Sequence, residues 1–267
     1  MCSAHLIPGI ASAQGAERDQ SKDAWKRRIR GILDRGRLPI IDLQATYMDA
    51  TSPGVPPNVL QTVGATDVPR MIEDMNRLDV AQIAFAPAYA ANGEPSLKLH
   101  RAHPEYFIPT TNSGEFPGWW RGPQAFVSGV AQAVKTGRFF FMGEHEFRHY
   151  PSPEQVRSGR SDIERFPGLH FDLAVSAPTH VYQPSGARDA PLFTAAGQLD
   201  DRSKAILERY PERFLSSSDY RPAVASQYPE MIRRQRDLLL APLRDKARHL
   251  VAYANAWRLI TGSPWSV

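Results

Sequence analysis

The chain alternates short apolar runs with amphipathic stretches. Three of the apolar runs, at 38–42, 139–144 and 213–219, end in carboxylates. Residues 38–43 (LPIIDL), 80–86 (VAQIAFA), 106–111 (YFIPTT), 138–143 (RFFFMG), 169–175 (LHFDLAV) and 213–217 (RFLSS) read as buried strands. Helical spacing marks the stretches between them. In 23–36, Trp25, Ile29, Ile32 and Leu33 share a face and Gly36 stands where a C-terminal glycine belongs. Thr66-Asp67-Val68-Pro69 is a helix start, and Met71, Met75 and Leu78 follow it on one face. Further helices are predicted over 96–103, 125–134, 201–210, 232–240 and 245–259. Residues 51–57 form a Pro/Gly-rich loop, and Asn92-Gly93-Glu94-Pro95 forms a turn.

This alternation, at about 30 residues per strand–helix–strand unit, predicts an α/β fold of TIM-barrel type with parallel strands. The second half is too short for a full barrel. About 70 residues separate Gly143 from Arg213, whereas completing strands five to eight needs roughly 120. The expected fold is therefore a (β/α) barrel lacking about two βα units. Residues 1–36 form a leader and helix, and 37–267 form the barrel domain.

Composition narrows the class. The 267 residues are 42% hydrophobic, enough for a sizeable core, and the net charge is only +4. Lys and Arg are scattered, with no basic stripe interleaved with aromatics, so nucleic acid is not an expected partner. No apolar run reaches the roughly 20 residues of a membrane-spanning helix. Cys2 is the single cysteine, which excludes a disulfide framework and a cysteine-based zinc site. The expected partner is a small-molecule substrate, with a homo-oligomer as a further expectation because missing βα units leave strand edges and apolar helix faces to be covered. Ala11-Ser12-Ala13-Gln14 has the small-x-small form of an export cleavage site, but residues 1–10 lack a basic start and are broken by Pro8. Two readings stay open: an exported protein whose leader begins upstream, or a cytoplasmic one with an unstructured N-terminus.

The candidate chemistry lies where apolar runs end. Asp219 closes the run RFLSSSD, on the side of the barrel where parallel strands present their active-site residues. It is the leading acid/base candidate, against a plainer role as a cap of the turn before Pro222. Glu144 follows Gly143 and serves either as general base or as an ion-pair partner of Arg148. His145, Glu146 and His149 share that loop. Arg148 suits a substrate carboxylate, bidentate through its planar fork, and His149 is either a substrate contact or a packed loop histidine. Asp42 and Gln44 end the first run, with Gln44 able to bond a ligand. His170 reads as a core histidine or a ligand, and Asp172 shares its face. His100 and His103 read as solvent-facing residues of a surface helix. There is no phosphate-binding glycine loop and no G-x-S-x-G, and Ser216, Ser217 and Ser218 have no base next to them in sequence.

The segments PIIDLQA, AFAPAYAANGEPS with HPEYFIPTTN, MGEHEFRHYPSP, LHFDLAVSAP, RYPERFLSSSDYRP and YANAWRLI, in that order, resemble the amidohydrolase-related family of metal-dependent hydrolase barrels. That branch also contains decarboxylases of aromatic acids. The likeness runs from about residue 38 to 262. It implies a divalent, zinc-type metal cofactor and hydrolysis of a C–N or C–O bond, or decarboxylation. In the family, ligands come from Asp-x-His-x-His on the first strand, one His on each of strands five and six, and an Asp on strand eight. Here Asp42 matches the leading Asp and Asp219 the last, which would make Asp219 a metal ligand. Gln44 and Thr46 stand where the two histidines would be. The strand-five and strand-six histidines have no counterpart, and an internal deletion near 157–166 would account for that. His170 falls where the family often has an aromatic. The resemblance thus implies a hydrolase with a degraded metal site. A non-catalytic relic, or a small-molecule-binding barrel, is the alternative.

Overall fold

The structure is a computed structural model that describes residues 8–51, 55–88, 93–111, 123–140, 168, 170–174 and 192–266. The first helix, α1, runs from Pro8 to Leu33, so it begins well before the predicted residue 23. Trp25, Ile29 and Ile32 are its buried stripe. Two polar bonds seat it on the sheet. The Trp25 Nε1–H donates to Pro104 O at 2.7 Å, and the Arg28 Nε–H donates to Ala81 O at 2.8 Å.

Five strands follow: β1 Ile40–Tyr47, β2 Val80–Pro87, β3 Phe107–Pro109, β4 Phe171–Ala174 and β5 Phe214–Ser217. β1 pairs with β2, β2 with β3, and β4 with β5, all in parallel. A parallel bridge from Ala45 to Tyr220 joins the two groups. The described strands thus form one parallel arc in the order β3-β2-β1-β5-β4. The last strand in sequence lies beside the first. An open doubly wound sheet would instead place β4 next to β1. First-against-last adjacency is what closure of a (β/α) barrel produces. The architecture is therefore barrel-like, and among the described residues it is incomplete.

β2 is buried along its whole length, as a central strand covered on both faces should be. Ile83 and Phe85 each gain roughly 1.5–3 kcal/mol by leaving water. Helix α2 is Pro57–Val63 and α3 is Val68–Arg77. Asp67 caps α3 as its sequence predicts, accepting from Arg70 N at 3.1 Å. Helix α4 is Glu94–Ala102, α5 is Pro123–Lys135 and α6 is Asp201–Arg209. Helix α7, Tyr228–Arg234, widens into a π-type run over Gln235–Leu240. There the Gln235 Nε2 donates to Leu173 O and Ser216 Oγ, clamping β4 to β5. The last helix, α8, comprises Asp245–His249, a π-type run Leu250–Ala254 and Asn255–Thr261. Asn255 fastens the entry of β5 through Pro211 O and Phe214 O. At the opposite end of the first two strands, Arg236 donates to Leu38 O and Leu78 O, both at 2.6 Å.

The predicted fourth strand, 138–143, is corrected in its described part. Residues 138–140 are not a strand, although Phe140 N donates to Pro109 O at 3.0 Å and so runs against the end of β3. Gly93 shows why this corner is tight. A methyl group there would run into the Phe139 ring, 2.7 Å from its Cζ, and fall 2.8 Å from Thr110 O. Gly93→Ala should therefore cost about 1–3 kcal/mol by overpacking. Chemical denaturation checks this, and a midpoint equal to that of the unaltered protein would show that the ring simply moves aside.

Candidate functional site

The site is built where β1 and β5 meet. β1 carries a bulge. Asp42 faces Ile83 and Ala45 faces Phe85, so three steps along β1 match two along β2. Bulges of this kind re-aim side chains beside functional sites. The bulge lets Gln44 N reach back to Asp42 Oδ1 at 3.4 Å. The same oxygen accepts from Ser218 N at 2.9 Å, and Asp42 Oδ2 accepts from the Tyr228 hydroxyl at 3.5 Å. Thr46 N donates to Tyr220 O at 2.7 Å, continuing the connection between the strands.

Above this anchor lies a chain of side chains. Ser217 Oγ donates to Gln44 Oε1 at 2.9 Å, and Gln44 Nε2 donates to Asp219 Oδ1 at 3.3 Å. Asp219 has a φ of 53°, in the left-handed region. A non-glycine residue held there is strained, and such strain concentrates at functional positions. Ser218 supports the turn by accepting from Tyr220 N at 3.1 Å. Asp219 and Gln44 are half-buried, while Asp42, Ser217 and Ser218 are buried.

The structure therefore brings Asp42, Gln44, Thr46 and Asp219 to one rim. Glu144, His145, Glu146, Arg148 and His149 lie outside the described residues, as does the stretch 157–166. His170 is neither a core histidine nor at the rim. It precedes β4, half-exposed, with Nδ1 at 3.1 Å from Gly168 O. Asp172 is exposed. His100 is corrected as well: it is buried, with Nε2 at 3.0 Å from Ser21 Oγ and Nδ1 at 2.7 Å from Phe107 O. Three residues escaped the sequence reading. Ser217 and Ser218 were weighed only as nucleophiles and Tyr228 not at all, because their role is to bond neighbours distant in sequence. The run of three serines before Asp219 was the available signal.

The rim residues can be tested against a zinc-type ion. Its ligands must be ionised carboxylates or neutral imidazoles. Gln44 turns an N–H, not a lone pair, toward Asp219, and Thr46 offers only a hydroxyl. Burial pushes the Asp42 carboxyl up to about 7, against the pull of its bonds from Ser218, Gln44 and Tyr228, which favours the protonated form over the ligating one. Among the described residues, no three His, Cys, Asp or Glu side chains gather. The described donor set does not fit the ion.

No family model matches the chain, and no curated protein matches its sequence. Solved structures do. The 2,6-dihydroxybenzoate decarboxylase from Rhizobium is 10% identical over 84% of this chain and 99% of its own, with a TM-score of 0.47. The dihydroxybenzoic acid decarboxylase from Polaromonas sp. JS666, solved with bound manganese and the inhibitor 2-nitroresorcinol, is 11% identical over 84% of this chain and 97% of its own, at 0.46. The 5-carboxyvanillate decarboxylase LigW from Sphingomonas paucimobilis is 13% identical over 84% and 99%, at 0.44. Values this low transfer no residue role or substrate to this chain. Among the described residues, no helix is long and apolar enough to cross a membrane.

The buried carboxyl makes stability depend on pH. The folded-state value of Asp42, about 7, lies above its ordinary 3.8, so between those values the native state holds a proton that the unfolded chain has released. Its contribution is fully present below the ordinary value and is lost as pH rises through about 7. Asp42→Asn keeps an acceptor for Ser218 N and Gln44 N but does not ionise. Its stability relative to the unaltered protein should rise between about pH 5 and about pH 8, by an amount on the order of a few kcal/mol. Urea titrations at the two pH values measure this, and parallel curves would refute it.

Proposed function

We propose that the chain is an enzyme of amidohydrolase-related type that acts on a small organic molecule, by hydrolysis of a C–N or C–O bond or by decarboxylation, with Asp219 as its proton-handling group. The observation that carries this reading is the placement of Asp219: at the C-terminal end of β5, half-buried, in a strained left-handed conformation, and joined to β1 through Gln44. Both reaction types need a group that moves a proton at the rim. In hydrolysis, a carboxylate takes a proton from the attacking water and returns it to the departing amine or alkoxide. In decarboxylation, a carboxyl donates a proton to the carbon that loses carbon dioxide. Gln44 and Ser217 position Asp219. Asp42, fully buried, touches no substrate and acts only by holding the Gln44 and Ser218 backbones. Glu144, as an assisting acid or base, and Arg148 and His149, as substrate contacts, complete the proposal from the loop after residue 140. No step is routed through a metal.

A second reading, a binding protein without turnover, is favoured by one feature. Gln44 spends both ends of its amide on Ser217 and Asp219, as a structural bridge between strands would. Incubation with a panel of aryl carboxylates, anilides and esters, followed by chromatography of products, separates the two. Turnover that falls about 100- to 10,000-fold in Asp219→Asn is the expected result. Compounds that bind without conversion would establish the second reading instead. Turnover should also survive dialysis against a chelator, because Gln44 and Thr46 cannot replace imidazoles. Its loss would place ligands among residues outside the described ones.

A further inference from the structure

A second polar centre lies away from the rim, between α1, α4 and the turn 137–140. An open cleft there holds about 310 Å³ of empty space, solvent included, and is lined by Arg18, Ser21, His100 and Arg138 among others. Its floor is Ser21 and His100, only 4% exposed each. Ser21 occupies the position one turn before Trp25 on the buried stripe of α1, where an apolar residue would pack at no polar cost. His100 holds the equivalent inward position on α4. A carbonyl only accepts, so the contact with Phe107 O places a proton on His100 Nδ1. In the neutral ring, Nε2 then accepts from the Ser21 hydroxyl.

The walls are cationic. Arg18 stacks on the Phe140 ring, with its guanidinium carbon 4.1 Å from the centroid, and its Nη1 donates to Gly137 O at 2.9 Å. These contacts fix the plane of the fork and leave further N–H groups in it. Among the described residues, no carboxylate pairs with Arg18. Arg138 shares Glu94 with Arg101, at 3.2 Å and 3.1 Å. Two guanidinium groups therefore share one carboxylate, and Arg18 adds a third positive charge beside Arg138 in the lining of the cleft. Fixed, partly desolvated guanidinium forks are the strongest side-chain receptors for planar or tetrahedral oxyanions.

We propose that this cleft binds a small oxyanion, a carboxylate or phosphate group, clamped between Arg18 and Arg138 above the Ser21–His100 pair. The site shares no residue with the rim and does not depend on the function proposed for it. The anion would offset the positive charge of Arg18 and Arg138 and accept from the Arg18 N–H groups that Gly137 O does not use.

The full chain is titrated with inorganic phosphate and, separately, with benzoate, at constant ionic strength, following the His100 ring resonances by NMR. Saturable shifts with either anion at about 10 mM or below are expected, weakened about tenfold by Arg18→Met and by Arg138→Met. Saturation by phosphate alone identifies a phosphate site, and saturation by benzoate alone a carboxylate site. Arg18→Lys, which keeps the charge but loses the fork, should weaken binding by less than Arg18→Met. It also serves as the decisive variant if Arg18→Met does not fold. The proposal is overturned if neither anion saturates the unaltered protein, or if affinity is the same in the arginine variants. It is equally overturned if binding is lost in Asp219→Asn instead, since the anion would then sit at the rim.

Discussion

The buried carboxyl of Asp42 is the constraint from which the geometry of the rim follows. It costs free energy to bury, and that cost is what lifts its titration toward neutrality. In return, one oxygen gathers two backbone N–H groups: Gln44 N, two residues on along its own strand, and Ser218 N, 176 residues away at the end of β5. The carboxyl therefore joins a bulge of the first strand to the end of the last, and it fixes how β5 sits against β1. Without it, the left-handed turn at Asp219 would have no reason to face Gln44.

Much of this frame could be read from the sequence, for a clear physical cause. Parallel strands buried on both faces appear as continuous apolar runs, so β1, β2, β3 and β5 stood out, as did Asp219 just beyond the end of β5. The cap of α3 was equally plain, because Asp67 followed by Pro69 combines a side-chain acceptor with a fixed φ. The bulge in β1 could not be read. No glycine or proline marks it, and it exists only because Asp42 offers its backbone neighbour a partner. Nor could the second role of the serines be read, since it depends on β5 lying beside β1, a pairing between residues about 170 positions apart.

His100 shows a different kind of failure. Followed shortly by Pro104 and flanked by Arg101, it looks like a solvent residue. Its spacing said otherwise: Ser96 and Leu97 stand four and three residues before it on α4, and both are buried. Helical periodicity placed it inward, and residue type argued against that. Periodicity prevailed because the Phe107 carbonyl and Ser21 supply both of the ring's hydrogen-bond partners.

The amide of Gln44 on β1 decides what kind of site the rim is. A metal holds its ligands by converging lone pairs on one point, and each ligand must present an acceptor. Gln44 instead presents a donor to Asp219 and an acceptor to Ser217, so polarity alternates along the line Ser217, Gln44, Asp219. Such a chain holds its members in place without a central charge. The position of Asp219 at the rim is thereby set in part by a neutral amide on the first strand, a donor that holds one carboxylate oxygen in place without adding charge to the site.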